Sequence, residues 1–298
     1  MTMPDPVALA LALLMLVWLV LYVRGWLRLR RRGAAALASV YRLLVFLTAT
    51  ALIGAVLLSP ISWLNSRYFF MRSLQTVVLC LLAAPAFHLA CGYDVLLWGL
   101  PDDVRRSLRR SLQPGAAAGE AVRAVTPAAG VWLAFIALFL IWHEPGLVNF
   151  LLPRPALHTT VLALLGLLAL LFWWHVVGTG PRLHAPLAAW LVAVMLVITE
   201  IINMVTGVSI AFAGAPIYAH YAALDAADTT QRTLDAVGDQ TLGGAILWVA
   251  GSLLYVSSIV LVLNRLFIKE GEGGPAPALD WDDDDRMIMP GLEHRVRR

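Results

Sequence analysis

Seven stretches of this chain are apolar over about the 20 residues that a helix needs to cross the hydrocarbon core of a bilayer. They fall at 7–23, 41–58, 74–100, 124–142, 157–177, 187–205 and 242–267. Lipid offers backbone groups no hydrogen-bond partner, so such segments must satisfy their own amides and carbonyls, as helices do. Short stretches of alternating polarity, the mark of a membrane barrel, are absent. Composition excludes the soluble alternative: 60% of residues are hydrophobic and 14% charged, against roughly 45–50% and about 25% in soluble domains. The expected fold class is all-α, a polytopic membrane helical bundle of seven transmembrane helices. Pro85 falls inside the third stretch, where it predicts a kink.

The positive charges are segregated. Of 22 lysines and arginines, 18 fall in the loops after spans one, three and five and in the C-terminal tail, leaving only Arg67, Arg72, Arg154 and Arg232 on the opposite side. By the positive-inside rule the N-terminus is outside and the C-terminus cytoplasmic. The first span has no basic segment before it and is followed by arginines, so it reads as a retained helix and not a cleaved signal. The expected organisation is a seven-helix transmembrane domain over 1–269 with an exterior cap at about 206–241. A mobile cytoplasmic tail over 270–298, with four aspartates at 282–285, follows it. Beside membrane spans the arginine loops read as topology determinants that contact anionic membrane lipids; no nucleic-acid partner is expected.

No phosphate-binding glycine loop, dinucleotide fingerprint, HExxH helix or nucleophile elbow occurs, so the chain is not expected to be an enzyme. Ionisable groups near or inside the spans are the remaining signals. His143 and Glu144 end span four and His158 opens span five; a connection of about 15 residues makes these helices antiparallel neighbours. Both imidazoles then lie on one side of the membrane, with His220 of the cap and the thioether of Met71 nearby. Imidazole suits copper, zinc or iron, so His143 and His158 are candidate metal ligands; the alternative is a pair of histidines capping helix ends. In span six Glu200, Asn203, Met204 and Gly207 follow at i, i+3, i+4 and i+7 on one face. A carboxyl there is either protonated and bonded to Asn203 and a neighbouring helix, or part of a proton relay or cation site. Cys80, His88 and Cys91 lie within about 80° on the helix wheel, but side chains on successive turns point outward in parallel, so packing is the better reading. Met287, Met289 and His294 in the tail read as solvated.

A series of fragments carries a resemblance over most of the chain. It runs from Gly25-Trp26-Leu27-Arg28 and Leu58-Ser59-Pro60 through Gln75, Ala83-Ala84-Pro85 and Trp142-His143-Glu144-Pro145. Leu171-Phe172-Trp173-Trp174, Pro216-Ile217-Tyr218 and Asp239-Gln240-Thr241-Leu242-Gly243-Gly244 complete it. In order and spacing these resemble the multi-span, caa3-type CtaG family of cytochrome c oxidase assembly factors. The resemblance implies a bacterial inner-membrane protein that partners heme-copper oxidase subunits and helps to supply copper to the oxidase. The family's metal-like patterns are HMxQH on span three and HxxEH on span five. They align with Arg72-Ser73-Leu74-Gln75-Thr76 and His158-Thr159-Thr160-Val161-Leu162, keeping only Gln75 and His158. The expectation is therefore a membrane scaffold or copper-delivery protein of oxidase assembly, with a metal-free structural subunit and a small ion carrier as alternatives. Copper is the one cofactor in question.

Overall fold

The structure, a computed structural model, describes residues 6–34, 37–58, 64–113, 115–179, 183–227 and 234–272. Every regular element among them is helical. In chain order these are α1 (Pro6–Arg31), α2 (Val40–Leu58), α3 (Phe69–Leu89), α4 (Gly92–Gly99), α5 (Asp102–Ser111) and α6 (Ala117–Val125). They continue as α7 (Ala128–His143), α8 (Pro145–Leu151), α9 (Pro155–Val177), α10 (Ala189–Ala211), α11 (Ala219–Ala227) and α12, which joins Ala236–Ala245, Ile246–Ala250 and Gly251–Glu272. Six of them, α1, α2, α3, α9, α10 and α12, are long and apolar enough to cross a membrane; α6 and α7, bent by 49° at their junction, make up to seven.

Two expected spans are broken by local chemistry. The third, expected over 74–100, is two helices, because Cys91 adopts a left-handed conformation with φ 53°. That conformation ends α3, and side chains meet carbonyls at its end: Tyr22 donates to Ala90 O at 3.0 Å, and Thr179 to His88 O at 3.1 Å beside the Cys91 N–H. The fourth begins at Ala128 and not at 124. Pro127 disfavours helical backbone in the residue before it, and Thr126 accordingly sits at φ −120°, ψ 36°.

Pro85 lies within α3, just after a π-helical turn at Val78–Ala83. A proline ring clashes with the carbonyl four residues back and brings no N–H, and a wider turn accommodates both. The Ala84 N–H reaches back to Leu79 O, which leaves the Cys80 carbonyl without it. The indole of Trp173 on α9 donates to that carbonyl at 2.7 Å. At a second π turn, Ile246–Ala250 in α12, Leu247 O keeps a bond from Gly251 N–H of its own helix and also accepts from the Asn203 amide on α10 at 3.0 Å.

α3 is the central helix. Of its apolar window 61% is buried, against 11% for α1, which lies at the edge. Leu79, Cys80, Leu81 and Ala84 of α3 share a core with Phe135, Phe139 and Trp142 of α7, Phe172 and Trp173 of α9, and Tyr255 of α12. In lipid, close van der Waals approach is what drives helices together. At α10 and α12 it is a glycine crossing: a Cβ on Gly207 would lie 2.8 Å from Gly244 O, and one on Gly244 2.6 Å from Gly207 O.

The segment expected as a cap is partly helix continuing from the spans. α10 runs on to Ala211 and α12 already begins at Ala236, with a loop and α11 between them. The last helix runs to Glu272, and the tail beyond it, with its aspartates, Met287, Met289 and His294, lies outside the described residues.

Candidate functional site

Where α3, α7 and α9 meet, at the end of the bundle covered by α11, the centre is a buried cation. Arg72 is fully buried, and its guanidinium carbon lies 3.5 Å from the centroid of the Trp142 ring. One Nη donates to Trp142 O at 2.7 Å and the other to His158 Nε2 at 2.8 Å. A guanidinium only donates, so Nε2 is the acceptor and the imidazole proton of His158 sits on Nδ1. The loop closes through Thr76: the Trp142 indole donates to its hydroxyl at 2.9 Å, and that hydroxyl donates to Arg72 O at 3.1 Å. A desolvated cation over an indole contributes about 2 kcal/mol, and the planar fork makes two hydrogen bonds that a point charge could not make together.

His143 stands apart from this loop. It follows Trp142 by one residue and so is turned about 100° around α7. Its Nδ1 donates to Phe139 O at 2.8 Å, and its Nε2 is buried without a protein partner. Glu144 is engaged elsewhere: its oxygens accept from Gly146 N at 2.8 Å and Leu147 N at 2.6 Å, capping α8. Those two donors hold its carboxyl below the usual carboxylate range. His220 donates from Nε2 to Ser66 O at 2.9 Å.

These residues do not fit a bound copper ion. A site must bring several lone pairs to one point, yet that of His158 is committed to Arg72 and both Glu144 oxygens to backbone amides. Among the described residues no group of three or more His, Cys, Asp or Glu is placed to hold a metal. A guanidinium also repels a cation about 4 Å away by about 4 kcal/mol per unit charge at an effective dielectric near 20.

The other polar residues singled out in the sequence turn out to join helix ends. Gln75 accepts from Asn65 at 2.9 Å and donates to Val56 O, the last-turn carbonyl of α2, at 3.0 Å. Asp239 accepts from Phe69 N at 2.7 Å and Phe70 N at 3.0 Å, so a carboxylate from α12 caps the N-terminus of α3. Gln240 donates to Ile210 O and Ala215 O and accepts from Ile217 N, fixing the loop after α10. Tyr218 donates to His143 O at 3.0 Å.

Glu200 and Asn203 face the bundle, at 9% and 2% exposure, whereas Met204 is 37% exposed and leaves the expected face. Glu200 accepts a short hydrogen bond from Ser252 on α12. Cys80 and His88 are buried, His88 against Leu170 O at 2.8 Å, and both cysteines are free. Reading the sequence missed Arg72, Thr76 and Trp173 as organising residues. Arg72 was counted among the loop charges. Its signal was available, however: Arg72 and Thr76 are one helical turn apart and replace both histidines of one aligned pattern.

A family model for the cytochrome c oxidase caa3 assembly factor, CtaG, matches residues 20–268. No curated protein and no solved structure gave a match.

Proposed function

This chain belongs to the caa3-type cytochrome c oxidase assembly-factor family, and from that premise we propose that it serves oxidase assembly as a metal-free membrane scaffold. The observation that carries this reading is the Arg72 cluster. Its guanidinium holds His158, Trp142 and, through Thr76, its own helix. A fixed organic cation thereby gives the helix ends a preorganised junction, and no ion is needed to draw them together. The surrounding side-chain bridges from Gln75, Asp239 and Gln240 extend that junction across α2, α3, α10 and α12. In this reading the chain is not an enzyme, and its partners are oxidase subunits that pack against it. Its place is the bacterial inner membrane, with the Arg72 end outside.

The test combines metal analysis with co-purification. Full-length protein is purified with and without added Cu(I), alongside a variant carrying His143→Ala and His158→Gln; the Gln side chain can still accept from Arg72. Copper content should stay far below one per chain in both, and oxidase subunits should co-purify with both. Stoichiometric copper that the double variant loses would overturn the metal-free reading. Loss of subunit association in a folded variant would assign the histidines a direct role in partner binding.

A further inference from the structure

At the opposite end of the bundle the last turn of α1 and the first turn of α5 enclose a recess of about 260 Å³. It is lined by Arg28, Arg31, Arg32, Asp102 and Arg105. Four guanidiniums thus face one carboxylate. Asp102 lies 2.9 Å from Arg105 and 3.7 Å from Arg28, so its charge is divided between two of the four. One Nη of Arg105 is buried with no partner in the protein.

The recess is held in shape by contacts of its own. Arg28 donates to Leu100 O at 2.8 Å and Trp98 O at 3.2 Å. The Trp98 ring has Arg32 and Arg105 packed on it, at 4.8 and 4.4 Å. α1 and α4 can approach this closely because Gly25 and Gly99 meet backbone: a Cβ on either would fall about 2 Å from a carbonyl oxygen of the other helix. A cationic recess with a free guanidinium donor, fixed in place, is built for the oxygens of a phosphate group.

Its surroundings indicate where that phosphate comes from. A second recess of about 540 Å³ shares Arg28 and Arg31 and runs back along α1 past Leu27, Arg24, Val23, Val20 and Leu19, so that apolar side chains line most of it beyond the arginines. Val20 and Leu27 are exposed, on a helix long and apolar enough to span the bilayer. Trp26 and Trp98 lie level with the arginines, where indoles mark the headgroup region. We propose that the arginine recess binds the phosphate of an anionic phospholipid whose acyl chain lies in the apolar recess along α1. This inference rests on the membrane placement of α1 and is independent of the assembly role.

The experiment uses the full chain in detergent, with dioleoyl phosphatidylglycerol, dioleoyl phosphatidylcholine and inorganic phosphate as probes. Binding is read by native mass spectrometry and by thermal melting. Phosphatidylglycerol should be retained and should raise the melting temperature, and the other two should not. An arginine near an anionic lipid surface is worth about fivefold in affinity, so Arg31→Gln with Arg32→Gln should weaken binding about 30-fold. Asp102→Asn, which removes the opposing charge, should tighten it about fivefold. Circular dichroism checks that both variants keep their helix; if the double variant does not, Asp102→Asn decides alone. Equal binding of phosphatidylcholine, an unchanged affinity in a folded double variant or no gain from Asp102→Asn would overturn the proposal. Stabilisation by inorganic phosphate equal to that by phosphatidylglycerol would overturn the lipid assignment and leave a soluble-anion site.

Discussion

Arg72 illustrates how a buried charge can be made tolerable without an opposite charge beside it. Its burial costs solvation, and what offsets this is geometry: an indole face, a carbonyl and an imidazole lone pair, all set by helices. Lysine keeps the charge but not the fork or the planar stacking surface. Arg72→Lys should therefore lower stability by about 2 kcal/mol, since one acceptor loses its donor. Equilibrium unfolding in detergent would measure it, and an unchanged midpoint would show that charge alone holds the junction. Glu144 makes a second case at this scale. Its folded carboxyl is depressed by the amides of Gly146 and Leu147, so its contribution is present above the ordinary glutamate value, about 4.3. It is lost as pH falls through the lower, folded value. Hydrogen exchange at those two amides should quicken on acidification through that range, and Glu144→Gln should remove the acid sensitivity.

Helices in this bundle are coupled through their irregularities. The π turn before Pro85 leaves the Cys80 carbonyl to Trp173, and the one in α12 is met by Asn203. The first of these gives α3 an acceptor that only a neighbouring helix satisfies; at the second, Leu247 O accepts from both its own helix's Gly251 N–H and the Asn203 amide. Trp173→Phe keeps the ring but removes the donor, and an unpaired buried carbonyl costs about 1–3 kcal/mol. Pro85→Ala restores a backbone N–H, which a π turn directs five residues back, to Cys80 O. The Trp173→Phe penalty should therefore be smaller in the Pro85→Ala background. A double-mutant cycle gives the coupling directly, and strict additivity would mean that the carbonyl is satisfied by something other than Trp173.

The whole molecule is a helix assembly whose two ends differ in kind. One gathers Arg72, Gln75, Asp239 and Gln240 into bridges between helices. The other presents Arg28, Arg31, Arg32 and Arg105 around a single carboxylate. Positive charge of the second kind sets orientation during insertion, and on that basis we propose that the arginine end is the cytoplasmic one. Reporter fusions within 111–120 and directly after Lys269 should read cytoplasmic, and a fusion within 222–231 should read exterior. A cytoplasmic signal from the last position would invert or recount the spans.

The sequence by itself determined that this chain is an all-helical membrane bundle, and it carried the family in ordered fragments. Apolar length is a local property, and a bilayer allows it few outcomes. It also singled out Gln75, Asp239 and Gln240, without saying what they bond to. Their bonds run to partners 10 to 170 positions away, and no local pattern encodes such pairings. The broken third span was likewise out of reach, since nothing in an apolar run announces a left-handed cysteine. What only the tertiary structure decided is the fate of the candidate metal ligands. Spacing put His143 and His158 at one end of the bundle, but a lone pair has a direction as well as a position. Packing of α3 against α7 and α9 gave that of His158 to Arg72, a residue that the linear charge pattern counts only as one of four on the exterior side.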